Sequence, residues 1–144
     1  MKAKKSLGQN FLIDQNILKK IVSLIKIENN SILEVGPGTG NLTSHILNHN
    51  PKKFLVVEKD KYLADMLKKK FEDKISIIND DVLKIDEKKL YKEKLIVFGN
   101  LPYNISTEIL AKWIINLDNK NFWFDSLILM FQKEVADRII ANIN

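Results

Sequence analysis

Residues 31–41 read Ser31-Ile32-Leu33-Glu34-Val35-Gly36-Pro37-Gly38-Thr39-Gly40-Asn41. A short apolar run that passes into three closely spaced glycines and then into a helical pattern reads as a strand, a tight loop and a helix N-terminus. Four further runs of the same kind follow: Phe54 to Glu58, Ile75 to Ile78, Leu95 to Phe98 and Ser126 to Phe131. Their apolar character is continuous rather than alternating, so both faces of each strand are covered, as in a parallel sheet flanked by helices. Helical patterns lie between them. Asp14 can cap a helix in which Ile17, Ile21 and Ile25 recur at i+4 beside Leu18 and Val22. Further helices are expected near 41–48, 60–70, 106–117 and from about 133. The fold class is α/β, a Rossmann-like doubly wound sheet. Right-handed crossovers put strands 3-2-1 on one side and 4-5 on the other, so strands 1 and 4 meet at the switch point and ligands bind at their carboxyl ends.

The 144 residues are 45% apolar and 28% charged, enough for one globular domain that buries roughly 70% of its extended-chain surface. No linker or repeat divides the chain, so 1–144 is read as one domain. There is no cysteine, which excludes disulfides, thiolate metal sites and cysteine nucleophiles. No apolar run approaches the roughly 20 residues that a bilayer requires, and Met1 to Lys5 leads into no signal-type stretch, so a cytoplasmic protein without a membrane partner is expected. The net charge of +5 suggests a polyanionic partner, but all 23 basic residues except Arg138 are Lys, the less selective reader of phosphate.

The loop Gly36-Pro37-Gly38-Thr39-Gly40 lacks the G-x-G-x-x-G spacing of dinucleotide folds, because position 41 is Asn. Glu58, at the end of strand 2, can accept from both hydroxyls of a ribose. Asp81, after strand 3, can accept from an adenine amino group at the same rim. Read as a metal pair, the acids lack a third ligand at a recognisable spacing, and no metal is expected. Together these features describe a site for a nucleoside with a compact charged tail, which fits S-adenosylmethionine. Its carboxylate and amine can meet the backbone around Gly36 and Gly38, near a helix N-terminus.

Strand 4 runs into Asn100-Leu101-Pro102-Tyr103. Methyl transfer to an exocyclic amine needs the nitrogen lone pair withdrawn from ring conjugation and aimed in line at the sulfonium carbon. The Asn100 side-chain oxygen and the Leu101 carbonyl can accept the two amino hydrogens, Pro102 stiffens the turn, and Tyr103 offers a ring on which a base can stack. As alternatives, the stretch is a plain strand-end turn with Tyr103 packed on the core, and Gly-Pro-Gly is a plain strand-to-helix turn. His45 and His49, at i and i+4 without a third ligand, read as an exposed helix face. Trp113 shares helical spacing with Ile109 and Leu117 and reads as core, and Phe122-Trp123-Phe124 as packing under a loop. Lys2, Lys4 and Lys5 either hold RNA phosphates or stay in solvent.

On these residues the chain resembles the ribosomal RNA adenine N6,N6-dimethyltransferase family, in particular its bacterial 16S small-subunit members. The resemblance rests on Lys5 to Leu12, Glu34 to Gly40, Val57-Glu58, Asp81-Val82, Asn100 to Thr107 and Phe131 to Arg138. It implies cofactor contacts from Asn10, Leu12, Gly36, Glu58, Asp81 and Asn100, with Tyr103 stacking the target adenine. It also implies dimethylation of two adjacent adenosines near the 3′ end of 16S rRNA in the 30S particle. The macrolide-resistance 23S adenine methylases share an Asn-x-Pro-Tyr-Asn stretch and are the enzymatic alternative. A non-catalytic RNA-binding assembly or transcription factor on the same fold is the alternative from another class, and a nicotinamide-dependent oxidoreductase is disfavoured by Asn41. In the family, further strands and a small helical domain follow the segment matching Gln132 to Arg138. The chain is therefore expected to be incomplete at its C-terminus, with strand 5 lacking a neighbour, Leu127, Leu129 and Phe131 exposed, and self-association through that edge.

Overall fold

The computed structural model describes residues 12–115, 117 and 122–141. Five strands, β1 (Ser31–Val35), β2 (Lys53–Val57), β3 (Ser76–Ile78), β4 (Leu95–Asn100) and β5 (Phe124–Met130), alternate with helices. The helices are α1 (Gln15–Ser23), α2 (Asn41–Leu47), α3 (Lys61–Phe71), α4 (Ser106–Ile115) and α5 (Lys133–Ile140). The sheet order is β3-β2-β1-β4-β5 and every pairing is parallel, as the crossover rule requires.

The continuous apolar strands serve two cores at once because alternate side chains point to opposite faces. Ile32, Phe54, Val56, Ile96 and Phe98 face one core with Leu18, Ile21, Leu42, Ile46 and Leu67 from α1, α2 and α3. Leu33, Val35, Leu55, Val57, Leu95 and Val97 face the other, which α4 closes with Ile109 and Trp113. The helices begin where short acids can hold their first amides. The Asp14 carboxylate accepts from the backbone of Asn16 and Ile17 at 2.9 and 3.2 Å. Asp60 does the same for Tyr62 and Leu63 at 2.9 and 3.2 Å.

Three expectations are corrected. In α1 the buried stripe is Leu18, Ile21 and Val22, while Ile17 is exposed, because the stripe follows i, i+3, i+4 from Leu18 rather than the Ile repeat. The fifth strand begins at Phe124 instead of Ser126: the register slips between Leu95 and Ile96, so exposed Asp125 is passed over in the pairing. Leu127, Leu129 and Phe131 are half-buried rather than exposed, since they pack against the cluster around Trp113. Among the described residues β5 does pair with β4 alone, at the edge of the sheet. Trp113 is fully buried and meets the Trp123 ring edge-on at 5.6 Å, as its spacing predicts.

Phe98 lies on the central pair of strands with no exposed surface. Phe98→Ala should cost about 3–5 kcal/mol of stability, measured by urea unfolding; a loss under about 1 kcal/mol would show that the two-sided sheet is not the core.

Candidate functional site

The site lies where β1 and β4 end side by side. The Gly36 amide donates to the Val57 carbonyl at 3.1 Å, carrying the β1 to β2 pairing one residue past the strand. The chain then turns with Gly36 at φ 71 and Gly38 at φ 58, the left-handed region that favours glycine. A Cβ on Gly36 would stand 2.7 Å from the Asn100 carbonyl oxygen, so only glycine permits this approach. The loop closes by the Gly40 amide donating to the Pro37 carbonyl at 3.0 Å, and α2 follows at once. Leu12, Glu34, Gly36, Pro37, Gly38, Thr39, Leu42 and Asn100 together line a pocket at this junction.

Glu58 is the first residue beyond β2, buried at 7% exposure. Its carboxylate accepts from the Asp60 amide at 2.8 Å. Burial pushes its pKa above the usual carboxylate value. The Asp60 amide opposes that rise, the Asp60 charge adds to it, and the amides of Gly38 and Lys59 also oppose it. The Gly38 amide of the glycine loop is thus near enough to favour the charged Glu58 carboxylate. The Asn79 amide holds this turn from β3 by donating to the carbonyls of Glu58 and Lys59, at 2.8 and 3.2 Å. Asp81 caps a 3₁₀ turn over Val82–Lys84, accepting from Leu83 at 3.0 Å, and its second oxygen receives the Lys59 ammonium at 2.8 Å. Lys59 holds the Asp81 carboxyl below the usual carboxylate range. Asp81 is therefore tied to the Glu58 turn, with lone pairs left over, since an ionised carboxylate has about four acceptor positions.

On the opposite side, Asn100 is half-buried at the pocket wall, the Leu101 side chain is buried in the second core, and Tyr103 is 49% exposed. Pro102 leads into α4: its carbonyl accepts from Ile105 at 3.1 Å and the Tyr103 carbonyl from the Ser106 hydroxyl at 3.4 Å. The Asn100–Tyr103 turn is thus held by the helix that follows it, leaving the Tyr103 ring accessible. Asn10, like Lys2, Lys4 and Lys5, lies outside the described residues.

Two contributors escape sequence reasoning. Glu34 is 1% exposed and accepts from the Thr43 hydroxyl at 2.6 Å, beneath the glycine loop. Nothing in Leu33-Glu34-Val35 separates a buried acid from an ordinary strand carboxylate. Asn41, read above only as a departure from dinucleotide spacing, donates to the Leu12 carbonyl at 2.9 Å and fixes that residue over the pocket. His45 is half-buried and 2.8 Å from the Gln15 side chain, and His49 lies beyond the end of α2, so the two do not form the exposed helix face expected of them.

A parallel sheet of order 3-2-1-4-5, with a glycine loop after its central strand and acids after the next two, defines a Rossmann-like α/β domain. The chain belongs to the ribosomal RNA adenine dimethylase family, whose sequence model matches residues 1–144. It is 65% identical over all of its length to the ribosomal RNA small subunit methyltransferase A of Pelagibacter ubique, covering 55% of that protein. It is 50% identical to the protein of the same name from Wolbachia pipientis wMel, again over its whole length and 50% of the relative. The chain therefore spans about half the length of the curated relatives it matches. Among solved structures, a dimethyladenosine transferase from Plasmodium falciparum superposes with a TM-score of 0.77 at 32% identity, over 93% of this chain and 47% of that one. The 23S rRNA methyltransferase ErmE superposes with a TM-score of 0.74 at 25% identity, over 89% of this chain and 50% of that one. Among the described residues, no helix is long and apolar enough to cross a membrane.

Burial pushes the Glu34 carboxyl up to about 8 from 4.5; the Thr43 hydroxyl opposes this and the charge of Glu58 adds to it. Between those values the folded chain keeps a proton that the unfolded chain has lost, so stability falls as pH rises through this window. Glu34→Gln, neutral throughout, should gain thermal stability relative to the parent as pH goes from about 5 to 8. Melting curves that stay parallel across that range would rule out a buried, proton-holding Glu34.

Proposed function

We propose that residues 1–144 form the cofactor-binding, catalytic unit of an S-adenosylmethionine-dependent rRNA adenine N6,N6-dimethyltransferase acting on two adjacent adenosines near the 3′ end of 16S rRNA in the 30S particle. The observation that carries this reading is the abutment of Gly36 on the Asn100 carbonyl, which brings a nucleoside-type site and an Asn-Leu-Pro-Tyr turn to one junction. The small-subunit names of the relatives at 65% and 50% identity support it over the 23S alternative, since ErmE shares 25%. Retention of Glu58, Asp81 and Asn100 argues against a non-catalytic factor on the same fold. A cytoplasmic location is part of the proposal. So is self-association through the outer edge of β5, which among the described residues pairs with β4 alone.

The donor set suits the cofactor: backbone carbonyls of the glycine loop for the methionine amine, a buried carboxylate for the ribose hydroxyls, and a second acid for the adenine amino group. Gly36 and Gly38 would hold the tail through their carbonyls, since the Gly36 amide is already given to Val57, while Glu58 would hold the ribose and Asp81 the adenine. Leu12, with Asn10 of the preceding segment, would cover the site. When bound, S-adenosylmethionine supplies an electrophilic methyl group on its sulfonium. The Asn100 side-chain oxygen and Leu101 carbonyl accept the two hydrogens of the acceptor amine, which frees its lone pair and aims it. Pro102 limits the turn to one geometry, and the exposed Tyr103 ring stacks the extruded base. Once the nitrogen has gained a methyl group and released one proton to solvent, it keeps one hydrogen and a usable lone pair, so the same turn can serve the second transfer.

Glu58→Ala should weaken cofactor binding by about 1.5–3 kcal/mol in calorimetry, the scale of a charged hydrogen bond. Tight NAD binding without any response to S-adenosylmethionine would defeat the proposal. Asn100→Ala should slow transfer of labelled methyl groups to 16S rRNA in immature 30S particles while leaving cofactor affinity within about threefold, because its amide acts chiefly at the transition state. Mass spectrometry of the rRNA reads the transfer, and a parental rate would remove Asn100 from the reaction. Tyr103→Ala should cost about 1–3 kcal/mol of base stacking and Tyr103→Phe much less; equal losses would deny the ring its role.

A further inference from the structure

Outside the pocket, one polar cluster joins the two sides of the site. Lys112 lies on α4, yet its side chain is only 18% exposed, because the ammonium turns inward under the segment that follows β3. It donates to the carbonyls of Val82 and Ile85, at 2.7 and 2.5 Å, and to the Glu87 carboxylate at 2.7 Å. An ammonium carries three donors, and all three are satisfied here. Glu87, 7% exposed at its side chain, also accepts from the Trp113 indole at 2.8 Å, so one carboxylate oxygen binds two successive residues of α4.

The segment so held is the one that begins with Asp81. Residues 82–89 join no strand; they form two 3₁₀ turns, Val82–Lys84 and Glu87–Lys89, with little backbone pairing to fix them. Beyond its own turn, where it accepts from Leu83, the Asp81 carboxylate meets Lys59, whose side chain is 54% exposed, the kind of pair that contributes little on its own. The Lys112 cluster is dry by comparison, and its helix starts at the Pro102-Tyr103 turn. Buried charge pairs are weak sources of stability, but they can select one arrangement among several.

We propose that Lys112 is a positioning residue: by holding the carbonyls of Val82 and Ile85 against α4, it fixes where Asp81 stands relative to the Asn100–Tyr103 turn and so sets selectivity for the base of the nucleoside ligand. This rests on the reading that Asp81 accepts from the adenine amino group. Lys112 itself touches neither ligand. Glu87 orients the ammonium, and Trp113 orients Glu87.

The test compares two probes, S-adenosylhomocysteine and its inosine counterpart, in which a carbonyl oxygen replaces the 6-amino group and meets the carboxylate unfavourably. The parent should prefer the adenine probe at least about tenfold. Lys112→Met alone leaves the Glu87 charge buried without its cation, so the informative variant is Lys112→Met with Glu87→Met, which removes both charges. That double variant leaves the Trp113 indole and the two carbonyls without their partners and should melt below the parent, but as a folded chain it should show a preference below about threefold. Glu87→Gln, which leaves Lys112 on the two carbonyls, should keep most of the preference. If the double variant does not fold, Lys112→Gln takes its place and should lower the preference at least about threefold. A folded Lys112 variant with parental preference would overturn the inference. A parent that binds both probes equally would instead overturn the assignment of Asp81, and the inference with it.

Discussion

At 2.7 Å from the position a Gly36 Cβ would occupy, the carbonyl oxygen of Asn100 leaves no room for any side chain at the end of β1. This approach is what joins the two sides of the molecule. β1 and β4 are the strands at which a doubly wound sheet reverses direction, and chains leaving such neighbours diverge into opposite layers. Gly36 lets the two exits touch before they part. The loop going one way carries the contact to Glu58, and the turn going the other way carries Asn100 and Tyr103.

From that contact the remaining parts take their places through short polar ties. The Gly38 amide faces the Glu58 carboxylate, Asn79 fastens the Glu58 turn to β3, and Lys59 leads from that turn to Asp81. On the far side, Lys112 returns from α4 to the carbonyls beside Asp81, closing a ring of contacts around the strand ends. Above the pocket, Asn41 holds the Leu12 carbonyl and His45 meets Gln15, so α1 is docked on α2 by polar contacts as well as by its buried stripe. Hydrophobic burial holds the sheet together, while these ties specify where its acids stand.

The sheet was legible because its determinants are local. Ser31 to Val35 is the observed first strand, and the order of all five strands follows from apolar runs plus a handedness rule. Boundaries drifted where a charged residue interrupts a strand, as Asp125 does in β5, or where a residue sits one step past the pairing, as Glu58 does after β2. Glu58, Asp81, Asn100 and Tyr103 could be named as candidates from the sequence because each stands at or beyond the end of a strand that could itself be recognised. Glu34, Asn41, Glu87 and Lys112 could not. The partners of Glu87 and Lys112 lie 25 to 30 residues away, and a lysine on a helix reads as solvated until its neighbours are known. Glu34 was hidden by the very alternation that makes β1 two-sided, since its burial depends on Thr43 from the next helix.

The proposed site requires one ligand to engage the strand ends as a unit. Two-dimensional amide NMR of the chain, titrated with S-adenosylhomocysteine, tests this residue by residue. Saturable shifts are expected at Gly36, Gly38, Glu58 to Asp60, Asp81 to Leu83 and Asn100, moving together with a single affinity. Shifts confined to α5, or a glycine loop that responds while Glu58 and Asp81 do not, would contradict a single site.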